Sequence, residues 1–133
     1  MAISTRHTAL PRILVVDDDE LVREVVVAVL RGTGYEVESA GNGAEALDRV
    51  AGPEAFHLIL LDVQMPVLDG WSTIRELHAR GCNTPVVMMS GHATEAEALR
   101  DGAQALLAKP FNQALLVDAI SRWATPMRDA AAG

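Results

Sequence analysis

In His57-Leu58-Ile59-Leu60-Leu61-Asp62, four consecutive aliphatic residues are followed directly by an aspartate, and this pattern gives the strongest indication of the fold. A short apolar run without alternation predicts a strand buried on both faces, as in a parallel sheet covered by helices. The next segment, 63–70, contains a proline and ends in glycine, which is typical of a turn. Ligands of such sheets bind at the carboxyl ends of the strands. Asp62 therefore marks a candidate site.

The rest of the chain repeats this unit of a strand followed by a helix. Further strands are predicted at 12–16, 35–39, 85–90 and 105–108, and helices at 19–32, 44–50, 70–80, 94–100 and 112–123. Five such units predict an α/β fold of the flavodoxin-like (βα)5 type. Its parallel five-stranded sheet is doubly wound, in the order 2-1-3-4-5, with helices on both faces.

Two of the predicted helices carry apolar residues at helical spacing, and we expect these residues to pack in the core. In the first helix they are Leu21, Val22, Val25, Val26, Val29 and Leu30. In the last helix they are Leu115, Leu116, Ile120 and Trp123. Asp19 and Asp69 are expected to be helix N-caps.

Composition limits the classes of function. The 133 residues suit one domain, expected at 12–123 between a disordered arm at 1–11 and a frayed tail at 124–133. A net charge of −7 argues against nucleic acid or an anionic membrane as partner. The single cysteine, Cys82, cannot form an internal disulfide, which favours a reducing, cytoplasmic location. No apolar run approaches membrane-spanning length.

Four of the five predicted strands end in residues that carry chemistry. These residues are Asp17 with Asp18, Asp62, Ser90 and Lys109. Parallel strands bring their carboxyl ends to one edge, where three carboxylates repel one another unless a cation is bound. Oxygen ligands at a site open to water favour Mg²⁺. Since a lysine and a hydroxyl complement a tetrahedral anion, the set predicts phosphoryl transfer with Asp62 as nucleophile.

The ordered motifs resemble the receiver domain of two-component response regulators from about Arg12 to Trp123. The resemblance rests on Ile13-Leu14-Val15-Val16-Asp17-Asp18, Leu61-Asp62-Val63-Gln64-Met65-Pro66 with Asp69-Gly70, Ser90-Gly91, and Lys109-Pro110-Phe111. It implies that Asp62 is the phosphoacceptor and that Ser90 and Lys109 contact the phosphoryl group. It also implies Mg²⁺ bound by Asp17, Asp18, Asp62 and the Gln64 backbone carbonyl, and a cis bond between Lys109 and Pro110.

The resemblance further implies a phosphorylation-dependent switch that catalyses its own phosphorylation and dephosphorylation. Its phosphodonor would be a sensor histidine kinase or a histidine phosphotransferase. We expect a stand-alone receiver that signals by contact with an unknown downstream protein, or that serves as a phosphate sink.

One residue and one spacing depart from the family pattern. Leu106 stands where the family has a tyrosine or phenylalanine that changes rotamer on activation. Only 19 positions separate Ser90 from Lys109, about one helical turn fewer than usual, so the fourth helix is expected to be short. Both departures affect the face that the family commonly uses for output.

Two other classes of function remain open. An aspartate-nucleophile phosphatase uses similar residues, but normally has an Asp-x-Asp arrangement and a cap domain, neither of which is apparent. A pseudo-receiver that serves only as a scaffold normally lacks an acidic residue or the lysine, and here both are retained.

Overall fold

The computed structural model describes residues 10–124, in which five strands alternate with five helices. The elements are β1 (Arg12–Val16), α1 (Glu20–Gly32), β2 (Glu36–Ala40), α2 (Gly43–Val50), β3 (Leu58–Asp62), α3 (Gly70–Ala79), β4 (Val86–Ser90), α4 (Glu95–Arg100), β5 (Ala105–Ala108) and α5 (Gln113–Trp123). All strand pairs are parallel, and the order β2-β1-β3-β4-β5 confirms the predicted fold. Residues 1–9 of the predicted arm and 125–133 of the predicted tail lie outside the described residues.

The central strands are buried on both faces, as the unalternating apolar runs predict. Every residue of β1, β3 and β4 is buried. Alternate side chains of β3 enter different cores: Ile59 and Leu61 pack with residues of α2 and α3, whereas Leu58 and Leu60 pack with residues of α1 and α5. None of the helices in residues 10–124 combines the length and apolar character needed to cross a bilayer.

Each helix begins with a side chain that accepts a hydrogen bond from the first turn, as the cap predictions require. The capping residues are Asp19, Asn42, Asp69, Thr94 and Asn112. Asp19 accepts from the backbone N–H groups of Leu21 and Val22, so the third aspartate of its run begins α1. Helix α1 therefore starts only a few residues beyond the end of β1, which leaves Asp17 and Asp18 at the carboxyl edge of the sheet.

The prediction that every apolar residue of α1 and α5 packs in the core is wrong at three positions. Leu21 is 73 % exposed, Val25 is 58 % exposed and Leu115 is 53 % exposed. Helical spacing identifies an apolar stripe but does not show how much of it the sheet covers. In α1 the sheet covers Val26 and Leu30. Two of the exposed residues, Leu21 and Val25, line an apolar groove together with Phe111.

The loop between β3 and α3 turns back tightly over the end of β3. Gly70 donates its N–H to the carbonyl of Val63 at 2.8 Å. A Cβ at position 70 would lie 2.4 Å from the carbonyl oxygen of Asp62, so only glycine fits this approach. Val67 adopts a left-handed φ of 70°, which is strained for a β-branched residue. The backbone that carries Asp62 is thus closely constrained on its C-terminal side.

Candidate functional site

The structure brings the predicted site residues together around one cleft at the carboxyl edge of the sheet. Asp17 follows β1, Asp62 ends β3, Ser90 ends β4 and Lys109 follows β5. A cavity of about 360 Å³ is lined by Asp17, Asp18, Asp19, Asp62, Gln64, Ser90, Gly91, His92 and Lys109. Every residue that the sequence predicted for the site is among them.

Three carboxylates form the acidic part of the cleft. Asp17, Asp18 and Asp62 each offer an oxygen, and these oxygens lie within 4.8 Å of one another. Asp17 is 1 % exposed and Asp62 is 5 % exposed, whereas Asp18 faces solvent. Oxygen-only donors with one side open to water match the preference of Mg²⁺, which keeps part of its hydration shell. The residues present therefore fit a magnesium ion.

Lys109 lies between the two buried carboxylates. Its Nζ is 3.3 Å from Asp17 Oδ2 and 3.2 Å from Asp62 Oδ1. Burial lowers the pKa of Lys109, but the charges of Asp17 and Asp62 outweigh burial, so the net pKa is raised. The side chain is therefore an ammonium at neutral pH, and it links the ends of β1, β3 and β5.

The surroundings of Asp62 change the ionisation of its carboxyl group. Burial, followed by repulsion from Asp17, raises the pKa of Asp62 to about 6, although Lys109 opposes both effects. A carboxylic acid is a poor nucleophile, so a metal ion that favours the carboxylate would also favour reaction at this position.

Ser90 lies on the strand beside Asp62, and its hydroxyl oxygen is bonded to its own loop. The Oγ accepts hydrogen bonds from the N–H groups of His92 at 3.0 Å and Ala93 at 2.9 Å. Its carbonyl accepts from the N–H of Lys109 at 2.9 Å. The peptide bond between Lys109 and Pro110 is cis, as the resemblance implies.

An apolar groove beside the cleft was missed from the sequence. It has a volume of about 600 Å³ and is lined by Asp19, Leu21, Val22, Val25, Val26, Lys109, Pro110 and Phe111. Asp19 and Lys109 line both the groove and the cleft. One signal was available: the six apolar positions of α1 form a wider stripe than contact with one sheet requires.

Comparison with known proteins agrees with this geometry. The family model described as "Response regulator receiver domain" matches residues 13–121. The CpxR homolog of Haemophilus influenzae, a transcriptional regulatory protein, is 38 % identical over 109 residues, 80 % of this chain and 47 % of that protein. The chain thus spans about half the length of this curated relative.

Two solved structures are similar over most of this chain. The chemotaxis protein CheY4 of Vibrio cholerae has a TM-score of 0.80 and 32 % identity, covering 86 % of this chain and 99 % of that one. The receiver domain of the sensor histidine kinase PA1611 from Pseudomonas aeruginosa has a TM-score of 0.77 and 35 % identity, covering 87 % and 98 %. The latter structure has a magnesium ion coordinated in its active site cleft.

The raised pKa of Asp62 makes a testable prediction about stability. Folding raises this pKa from 3.8 to about 6, so the folded state binds a proton more tightly and stability falls as the pH rises through that interval. Without divalent metal, Asp62→Asn and the parent should have similar free energies of unfolding near about pH 4. Near about pH 8 the variant should be more stable. Urea unfolding at both pH values measures the difference, and a difference that does not grow with pH contradicts the assignment.

Proposed function

The chain belongs to the response regulator receiver domain family, and from that premise we propose that Asp62 accepts a phosphoryl group from a phosphohistidine of a partner protein. The Lys109 ammonium lies within 3.3 Å of both Asp17 and Asp62, and this placement supports the proposal. An aspartate beside a fixed cation and further oxygen ligands is suited to phosphoryl transfer.

In this proposal an oxygen of Asp62 attacks the phosphorus, and the bond between phosphorus and the histidine nitrogen breaks. The electron pair of that bond leaves with the imidazole. When bound by Asp17, Asp18, Asp62 and the Gln64 backbone carbonyl, Mg²⁺ supplies compensation for the charge of the phosphoryl oxygens. Lys109 supplies a second positive charge at the same group, and Ser90 supplies a hydroxyl donor from the neighbouring strand.

Dephosphorylation takes place in the same cleft, with Asp62 as the leaving group. Water attacks the phosphorus and loses a proton, the bond to the Asp62 oxygen breaks, inorganic phosphate leaves and Asp62 is restored as a carboxylate. The protein thus acts as a switch that stays active for as long as the phosphoryl group remains on Asp62. Its signal passes to a downstream protein by contact, or the chain serves as a phosphate sink. Its net charge of −7 supports protein partners rather than nucleic acid or an anionic bilayer.

The two alternative functions have less support. A phosphatase of the Asp-x-Asp type needs a second aspartate two positions after its nucleophile, and here position 64 is glutamine. A scaffold has no need of a buried acidic pair bridged by lysine, because burying such charges costs folding free energy.

We also propose that the apolar groove receives the phosphodonor, a sensor histidine kinase or a histidine phosphotransferase. The groove is continuous with the cleft through Asp19 and Lys109, so a protein seated in it is held beside Asp62. Within residues 10–124, the side chains of Leu21 and Val25 are largely exposed and present apolar surface there. A donor with apolar side chains beside its phosphohistidine, as on an amphipathic helix, is complementary to such a surface.

Phosphorylation by a small-molecule donor tests the role of Asp62. With acetyl phosphate and Mg²⁺, the parent should gain one phosphoryl group by intact mass, and Asp62→Asn should gain none. Asp69→Asn is the matched control, because asparagine caps a helix as well as aspartate does, and it should react like the parent. A phosphoryl adduct on Asp62→Asn would identify another acceptor, and no adduct on the parent would favour the scaffold.

Transfer from a protein donor tests the groove. Val25→Glu should slow phosphoryl transfer from a phosphohistidine protein by about tenfold or more, because a charge replaces apolar contact surface. Its rate with acetyl phosphate should stay unchanged. Leu99→Glu, which alters a 50 % exposed leucine on α4, is the control and should leave both rates close to those of the parent. Equal loss of transfer in the two variants, or no loss in Val25→Glu, contradicts the docking proposal.

A further inference from the structure

The carboxylates of Asp17 and Asp18 are neighbours in the chain but are held in different ways. Both oxygens of Asp17 have partners: Oδ1 accepts from the N–H of Asp19 at 2.9 Å, and Oδ2 lies 3.3 Å from Lys109 Nζ. The structure of residues 10–124 gives the Asp18 carboxylate no hydrogen bond or ion pair, and this side chain faces solvent. The direction of the Asp18 carboxylate therefore depends on the backbone that carries it.

Arg23 holds that backbone. Its Nη1 donates to the carbonyl oxygen of Asp17 at 2.7 Å. The carbonyl of Asp17 and the N–H of Asp18 belong to one planar peptide unit, so a bond to the carbonyl fixes the plane from which Asp18 continues. A charged guanidinium donor makes this hydrogen bond stronger than one between neutral groups. Within residues 10–124, the lining of the cleft does not include Arg23, which therefore acts on Asp18 through the main chain.

The first turn of α1 places Arg23 for this contact. The N–H of Arg23 donates to the carbonyl of the N-cap Asp19 at 2.9 Å. Long side chains on a helix lean toward its N-terminus, so the Arg23 side chain extends back to the loop that precedes α1. The loop after β2 is also close, because a Cβ at Gly41 would lie 3.5 Å from the same Nη1. The half-buried guanidinium is thus held at the carboxyl edge of the sheet.

We propose that Arg23 is a positioning residue for Mg²⁺, because it holds the peptide between Asp17 and Asp18 so that both carboxylates face one ion. This role rests on the proposed function of the cleft. The charge of Arg23 has the wrong sign for a cation site, since a positive charge nearby repels Mg²⁺. The contribution of Arg23 to binding is therefore geometric and exceeds this repulsion. Groups that orient metal ligands in this way typically change metal affinity by about 10- to 100-fold.

Opposite orders of affinity distinguish positioning from charge. Arg23→Met removes the donor and the charge, and it should bind Mg²⁺ about tenfold more weakly than the parent. Arg23→Lys keeps a charged donor, and its affinity should lie between those two. If the charge alone mattered, Arg23→Met would bind Mg²⁺ more tightly than both the parent and Arg23→Lys. Titration with Mg²⁺, followed by backbone amide shifts, gives each Kd and shows that each variant is folded.

Arg31→Met is the matched control. Arg31 also lies on α1, and its guanidinium also donates to a backbone carbonyl, that of Val37, at 3.0 Å. The substitution removes the same charge and the same kind of hydrogen bond, but in the last turn of the helix, away from the acidic pair. Its Kd for Mg²⁺ should stay close to that of the parent.

The dependence of phosphorylation on Mg²⁺ gives a second readout. With acetyl phosphate as donor, Arg23→Met should need about tenfold more Mg²⁺ than the parent to reach half of its own maximal rate. Saturating Mg²⁺ should reduce the difference in rate between this variant and the parent. A loss of folding stability alone would not shift the half-saturating concentration of the folded protein.

The outcomes separate the role of Arg23 from the function of the cleft. Weaker binding in Arg23→Met, intermediate binding in Arg23→Lys and parental binding in Arg31→Met support the positioning role. Parental or tighter binding in Arg23→Met, or an equal loss in Arg31→Met, overturns that role while leaving the cleft as the magnesium site. A parent that neither binds Mg²⁺ nor gains a phosphoryl group overturns the proposed function, and the role of Arg23 with it.

Discussion

The carboxylates of Asp17 and Asp62 are buried side by side, and the Lys109 ammonium that lies against both makes this arrangement possible. Two buried negative charges without a cation would cost far more free energy than a domain of this size can spare. The two negative charges and the positive charge that compensates them come from the ends of three different strands. The site therefore forms only when β1, β3 and β5 are correctly placed. Burial, followed by repulsion from Asp17, raises the pKa of Asp62 although Lys109 opposes both effects. A divalent cation near Asp62 would favour its ionised form.

The fold and the site are connected through short local constraints. The side chain of Asp19 begins α1 directly after the acidic pair, and Gly70 allows α3 to begin close to the carbonyl of Asp62. Ser90 has a structural role in the resting loop and a proposed role toward the phosphoryl group, and the two roles use the same oxygen. Competition between them would make the end of β4 a switch rather than a fixed wall of the cleft.

The sequence was sufficient to predict the order of the strands and the residues that line the cleft. The prediction of the cleft rests on buried apolar runs followed by polar residues such as Asp62 and Ser90, because parallel strands place their carboxyl ends at one edge of the sheet. The sequence did not predict that Leu21 and Val25 are exposed, since helical periodicity does not show where the covering sheet ends. The ion pair between Arg75 and Asp101 could not be predicted from the sequence either, because it depends on how a shortened α4 lies against α3. Such long-range packing leaves no periodic signal in the chain.

The most direct test of the account is the change in thermal stability on adding Mg²⁺ to the parent, Asp17→Asn and Asp19→Asn. Ligand at ten times its Kd stabilises a folded protein by about 1.4 kcal/mol, which raises the Tm of a domain of this size by a few degrees. Because asparagine caps a helix as well as aspartate does, Asp19→Asn should keep the full increase seen in the parent. Asp17→Asn should lose most of it, because one of the three carboxylates that could hold the ion becomes an amide. An undiminished increase in Asp17→Asn would contradict the assignment of this cleft as the magnesium and phosphoryl site.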